Sequence, residues 1–171
     1  MMSQETHDVV KVFSGVHRAA VGYTFVTEDD KTLITVGWDR QACLWDIESG
    51  AHLFTFPEAN ERFHVGCLNF EDRILAASDY AANIYIYDII DRKLLHTFKA
   101  KSMPWDLCFT VDGKYLLTGS KSGEIEVFDM EKFELYKTIK AHKTPVPYVS
   151  LSGDGKYVVS VSKSETIIWD A

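Results

Sequence analysis

Apolar and polar positions alternate along this chain in runs of three to seven residues, each cut short by a polar turn, and no segment of useful length carries a helical period. Runs such as Leu33–Thr35, Leu75–Ala77, Tyr115–Thr118 and Tyr157–Ser160 read as strands, each followed by a tight turn and a second strand such as Ala42–Leu44 or Ile125–Val127. Asp112-Gly113 and Asp154-Gly155 are strong hairpin signals ahead of two of these runs; Glu28-Asp29-Asp30 and Glu71-Asp72 stand at the same place in the others. An opening strand precedes each turn (Val21–Val26, Val65–Phe70, Leu107–Phe109, Val146–Leu151), and a closing strand follows in three cases (Leu53–Phe56, Leu94–Phe98, Leu135–Ile139). The pattern is all-β.

The runs repeat. Trp45-Asp46, Tyr87-Asp88, Phe128-Asp129 and Trp169-Asp170 each end an apolar strand, with the aspartates 42, 41 and 41 residues apart. A unit of about 40 residues with four short antiparallel strands cannot bury both faces of its sheet alone, so such units stack about an axis. Val9–Phe13, followed by Ser14-Gly15-Val16-His17, matches a closing strand and its loop, although no unit precedes it.

On these residues, above all His17–Gly50 with its ending Asp39-Arg40-Gln41-Ala42-Cys43-Leu44-Trp45-Asp46, the chain resembles the WD-repeat (transducin-like) β-propeller family. The resemblance covers essentially the whole chain. It implies a β-propeller of four-stranded antiparallel blades, four of them here, forming one module over residues 1–171 with a flexible stretch at 1–8. It also implies a cyclic offset in which the N-terminal strand completes the last blade and removes two unpaired edges. Rings of this family usually hold seven or eight blades. Four blades are therefore read in three ways: half of an eight-bladed ring closed by a homodimer, a fragment of a larger ring, or a small closed ring.

The resemblance places a hydrogen-bonded tetrad at His17, Thr35, Asp39 and Trp45, a network that orders strands because buried polar groups must be paired. Hydroxyl, imidazole and carboxylate also spell a nucleophilic triad, but no Gly-rich turn surrounds Thr35, so no catalytic residue is assigned. The other units depart from the pattern. Unit two has Ala77, Ala81 and Tyr87 and is expected to rely on packing alone. Unit three keeps Thr118 and Phe128 but has Ala100 and Ser122, and unit four keeps His142 and Trp169. Unit one is expected to be the stiffest.

The family's usual ligand surface is the narrow face around the axis. Carried over position by position, it gives Trp38, Tyr80 and Lys121 before the third strands, Gly22, Gly66, Trp105 and Pro147 at the first strands, and Ala20, His64, Met103 and Pro145 two residues earlier. Trp38, Tyr80, Met103, Trp105 and Lys121 are the candidate partner-binding set, with Trp38, Tyr80 and Trp105 as an aromatic arc. The expected role is a non-catalytic scaffold for other proteins. An architectural subunit inside a large complex is the alternative.

Composition narrows the field further. A net charge of −7 argues against general nucleic-acid binding, which needs clustered Lys and Arg. Cys43, Cys67 and Cys108 form no CxxC pair and sit in apolar runs, as reduced thiols in a cytoplasmic or nuclear protein would. No apolar stretch approaches the roughly 20 residues of a membrane helix. His52, His64 and His96 lack metal spacing, no Gly-rich phosphate loop is present, and no cofactor is expected. The paired arginines of the family's lipid-binding members are missing. Glu48, Ile90 and Glu131 stand where adaptors of ubiquitin-ligase scaffolds often carry arginine.

Overall fold

The computed structural model describes residues 9–69 and 73–171. The expected flexible stretch 1–8, the Glu71-Asp72 turn and Phe70 lie outside the described residues. Fifteen strands form four antiparallel sheets among the described residues, and none of those residues is helical. The first sheet contains β1 (Val21–Val26), β2 (Thr32–Gly37), β3 (Ala42–Asp46) and β4 (His52–Thr55). The second contains β5 (Phe63–Asn69), β6 (Ile74–Asp79), β7 (Asn83–Asp88) and β8 (Lys93–Lys99). The third contains β9 (Pro104–Phe109), β10 (Tyr115–Ser120), β11 (Glu124–Asp129) and β12 (Glu134–Lys140). The fourth has three strands, β13 (Tyr148–Leu151), β14 (Tyr157–Val161) and β15 (Thr166–Asp170).

Local chemistry sets the turns. Gly113 and Gly155 take φ values of 69° and 71°, the left-handed region that glycine enters without strain, while Asp30 holds the matching position at 55°. Thr27, Thr110 and Ser152 each donate a hydroxyl hydrogen bond to the aspartate two residues on, at 2.6–2.7 Å. The aspartates of the aromatic-Asp pairs tie down the next turn: Asp46 accepts from the Ser49 amide, Asp88 from Ile90 and Asp91, and Asp129 from Glu131 and Lys132. Their recurrence thus has a mechanical cause.

The sheets pack face to face in chain order. Ile34, Val36, Leu44 and Phe56 of the first meet Phe63, Leu75, Ala77, Tyr85 and Tyr87 of the second. Alternate residues on the same second-sheet strands, Ala76, Ile84 and Ile86 with Phe98, meet Leu107, Leu116 and Phe128 of the third. Leu117 and Ile125 then face Val149, Val158 and Trp169 of the fourth. The outer side of the fourth sheet stays open, with Tyr148 66% and Ile168 67% exposed.

One expected element is not formed here. Residues 9–13 make no strand, and Val9, Val10 and Val12 are exposed. Lys11 Nζ donates to the Glu48 carbonyl, and the Phe13 ring meets Trp45 edge-on at 5.9 Å, so this segment lies against the first sheet. The free edge that would suit it, β15, belongs to the sheet at the other end of the row.

Phe128 is 1% exposed and packs on Phe98 with ring centroids 4.6 Å apart. Phe128→Ala should cost about 3–5 kcal/mol in urea unfolding, whereas Ile90→Ala, at a side chain 52% exposed, should stay within about 0.5 kcal/mol.

Candidate functional site

Two sets of backbone hydrogen bonds build one rim. The turn after each second strand is tied to the loop before the first strand: Trp38 N–H to Ala20 O (2.8 Å), Tyr80 N–H to Arg62 O (3.2 Å) and Lys121 N–H to Met103 O (3.0 Å). Loops leaving one sheet bond back to the same turns, as Ala59 N–H to Arg40 O, Ala100 N–H to Ala82 O and His142 N–H to Gly123 O. Main-chain bonds rather than long side chains fix the rim's shape.

In the first sheet the rim rests on a buried polar chain. His17 Nδ1 lies 3.0 Å from both Asp39 oxygens, and Nε2 lies 2.7 Å from Thr35 Oγ1. Trp45 Nε1–H donates to the same Oγ1 at 2.8 Å. Indole is a donor alone, so the Thr35 proton is free for Nε2, which puts the His17 proton on Nδ1 facing the carboxylate. Asp39 also accepts from the Arg18 and Gln41 amides. Burial opposes its ionisation, but the Arg18 amide and His17 outweigh it and hold the carboxyl below the ordinary range. A Cβ on Gly37 would stand 2.6 Å from His17 Nδ1, so only glycine allows this approach.

The other sheets solve the same problem differently. In the fourth, His142 Nε2 meets Ser160 Oγ at 2.8 Å, Trp169 Nε1–H donates to that oxygen at 2.9 Å, and His142 Nδ1 lies 3.2 Å from Glu165. Ser160 stands 9 residues before Trp169, against 10 between Thr35 and Trp45, because the intervening turn is one residue shorter. That offset hid Ser160 and Glu165 in the sequence. The second sheet does not rely on packing alone, contrary to expectation. Fully buried Asp79 accepts from the Asn83 amide and side chain and from Tyr85 OH (3.0 Å), and Tyr85 in turn accepts from the Asn60 amide. In the third sheet, buried Glu126 accepts from the Lys101 amide at 3.1 Å, and burial raises its pKa. Thr118 Oγ1 is buried there without a partner.

Of the candidate contact residues, Trp38 is 47% and Tyr80 36% exposed, and Lys121 is exposed. Arg62 brings the first two together. Its guanidinium carbon lies 5.5 Å from the Trp38 ring centre and 4.3 Å from that of Tyr80. His64 packs on the other ring neighbour, with centroids 4.6 Å apart from Tyr80, and burial followed by Arg62 holds its pKa below the ordinary value. Met103 and Trp105 are half-buried, and Trp105 Nε1 is buried without a partner. Trp105 has no ring contact with Trp38 or Tyr80 among the described residues. The residue matching Ala20 and Met103 in the second unit is Arg62, not His64, as the backbone bonds to the turns establish. Its register was hidden by the irregular pairing between Phe63 and Val65.

No cluster of histidine, cysteine or carboxylates among the described residues could hold a metal ion, and the described residues contain no helix long and apolar enough to cross a membrane.

Known proteins place this architecture. The family model "WD domain, G-beta repeat" matches residues 92–129 and 133–170. The chain is 29% identical to "WD repeat-containing protein WDS homolog" of Arabidopsis thaliana, over 90% of this chain and 30% of that protein. It is 26% identical to "Target of rapamycin complex subunit wat1" of Schizosaccharomyces pombe, over 81% of this chain and 45% of that one. It therefore spans less than half the length of these relatives. A chain in the crystal structure of the mitotic checkpoint complex superposes with a TM-score of 0.79 at 20% identity, over 91% of this chain and 50% of its own length. The matched repeats at residues 92–129 and 133–170 are WD repeats, the relatives support the WD-repeat family, and the sheets are similar to blades of that fold. Each matched repeat begins at the outer strand of one blade and ends on β11 or β15 of the next, so repeat and blade are offset by one strand.

Asp39→Asn should cost roughly 1–3 kcal/mol at neutral pH. A carboxyl with a lowered folded pKa gives stability that is present above its unfolded value and lost as pH falls through the folded one. Urea unfolding against pH should therefore show the gap between wild type and variant closing in acid.

Proposed function

We propose that this chain is a non-catalytic platform that binds a peptide or loop of a partner protein on the narrow rim. The Arg62 side chain laid between Trp38 and Tyr80 carries this reading: exposed rings and a guanidinium, set on a main-chain-fixed rim, suit a binding anchor. A rigid rim loses little conformational entropy when a peptide docks. The curated relatives include an autophagy-related protein and a subunit of a target of rapamycin complex, which supports protein partners and a cytoplasmic or nuclear setting. The buried tetrad of the first blade serves as a strand lock rather than as a catalytic triad, since Thr35 is mid-strand, 5% exposed and already bonded on both sides.

A second feature favours an assembly. Among the described residues no strand pairs with the outer edge of β15, and an apolar cleft of about 710 Å³ runs beside Trp169, Val158, Ile139 and Tyr136. Val9–Phe13 is an unused strand-like segment at the other end of the row. The one-strand offset of the matched repeats supports reading this segment as an outer strand waiting for a blade edge. Paired with β15 of a second copy, it completes four strands in each copy's last blade and closes eight blades as a homodimer. In a longer chain, further blades take the same place, and the module becomes an architectural part of a larger ring.

Both readings have direct tests. Trp38→Ala should lower the affinity of captured partner proteins by about tenfold or more with the circular dichroism spectrum unchanged. Undiminished capture by both Trp38→Ala and Trp105→Ala would remove the narrow rim from the account. Light scattering should give a discrete dimer, and removing residues 1–14 should expose the β15 edge and cause aggregation. A soluble, folded monomer from both chains would exclude strand exchange.

A further inference from the structure

The net charge of −7 is spread unevenly. On the rim that carries Trp38 and Tyr80, the carboxylates are largely consumed by the fold. Asp39 is held by His17, Asp79 by Asn83 and Tyr85, Glu165 by His142 and Glu58 by Arg40. Apart from Arg40, paired with Glu58, and Lys99, bonded to Ala81 and Asn83, the rim cations are not. Arg18, Arg62, Lys121, Lys143 and Lys163 are exposed and make no ion pair among the described residues, with Glu61 the exposed acid beside them.

The opposite rim is reversed. Lys93, Lys114, Lys132 and Lys156 are each taken by a nearby aspartate. Glu28, Asp29, Asp30, Glu48, Glu131 and Glu134 are exposed without an ion pair, and Lys11, Lys31, Arg73 and Arg92 are the cations left among them, so the acids still prevail there. An acidic protein thus presents a cationic face on one side only. A field of that shape repels acidic segments from one rim and steers them to the other.

Arg62 gives that steering a docking point. Stacking against two rings limits its rotamers and leaves the planar donor fork at its edge for a carboxylate. Bidentate pairing needs this kind of preset geometry. Lys121 lies on the turn tied to Met103 one blade loop further along, and Lys143 on the loop that bonds to Gly123, so the cations continue in the direction a bound peptide would run.

We propose that the partner segment held on this rim is an Asp/Glu-rich peptide, with Arg62, clamped between Trp38 and Tyr80, pairing to one of its carboxylates and Lys121, Lys143 and Lys163 flanking it. This rests on the narrow-rim reading above and adds the chemistry of the ligand.

The test is fluorescence anisotropy on the full chain with fluorescein-labelled hexaglutamate and hexaglutamine. Hexaglutamate should bind at least about tenfold tighter, weaken as salt rises, and lose about tenfold or more on Arg62→Glu, with Arg62→Lys intermediate. Glu131→Gln, on the far rim, should leave binding unchanged. Equal binding of both peptides, with both lost in Trp38→Ala, would keep the rim but overturn acid selectivity. Hexaglutamate binding that survives both Arg62→Glu and Trp38→Ala would overturn the rim itself. Displacement by inorganic phosphate at the peptide's own concentration would assign the site to phosphate groups, and failure of either peptide to bind at millimolar concentration would refute the proposal. All variants lie at exposed side chains, and matched thermal melts would verify folding.

Discussion

Each sheet here is too thin to keep water from both of its faces, and every other feature follows from how that deficit is met. Successive residues of a strand point to opposite faces, so Leu75 and Ala77 serve the interface with the first blade while Ala76 serves the one with the third. No blade owns a core. The hydrophobic stabilisation is divided among interfaces, as in other repeat proteins. This is also why the two ends of the row differ from its middle. The first blade's outer side is partly covered by Phe13 and His17 against Trp45, while the fourth keeps Tyr148, Tyr157 and Ile168 in water.

Stacking sheets this way drags polar groups inside, and the four blades show three solutions to one problem. The first and fourth use imidazole, hydroxyl and indole, with Asp39 or Glu165 behind the histidine. The second replaces them with a carboxylate, Asp79, saturated by an amide, a carboxamide and a phenol. The third turns Glu126 inward to take the Lys101 amide beside the place where the first blade has its histidine. Asp106 adds a brace between blades by accepting from the Val149 amide at 2.9 Å, at the expense of a pKa raised by burial. In each case the group's hydrogen-bonding capacity is directed into strand order, because an unpaired buried carboxylate costs far more than an apolar residue would.

What the sequence made legible was whatever repeats. The aromatic-Asp period, the Asp-Gly turns and the strand order needed only local chemistry and spacing, and the tetrad residues of the first blade came from the family resemblance at their standard positions. What it hid were the departures. Asp79 lies two places from Ala81, the position inspected, and no pattern marks a Tyr–Asp–Asn network that replaces a histidine. Ser160 and Glu165 were masked by a turn one residue short. Arg62 was displaced from its match with Ala20 by a bulge whose existence depends on how β5 pairs with β6. Each is a register effect, and register is decided by contacts across the sheet that a linear reading does not contain. Residues 9–13 fall in a different class, since whether they form a strand depends on which edge is within reach.

The same accounting of polar groups links stability to recognition. A rim built from loops and tight turns collects charged residues of both signs, and in a solvated loop they would largely cancel. Here the acids are the members drawn inward, because carboxylates accept the amide hydrogen bonds that turns leave over, as Asp39 does for Arg18 and Gln41 and Asp79 for Asn83. Lysine and arginine have only donors to offer and find few acceptors there, so they remain at the surface. The cationic character of the rim is then a by-product of satisfying buried backbone donors. Its position is as fixed as the turns themselves, since the same turns are tied by Trp38 N–H to Ala20 O and Tyr80 N–H to Arg62 O and so carry both rings around Arg62.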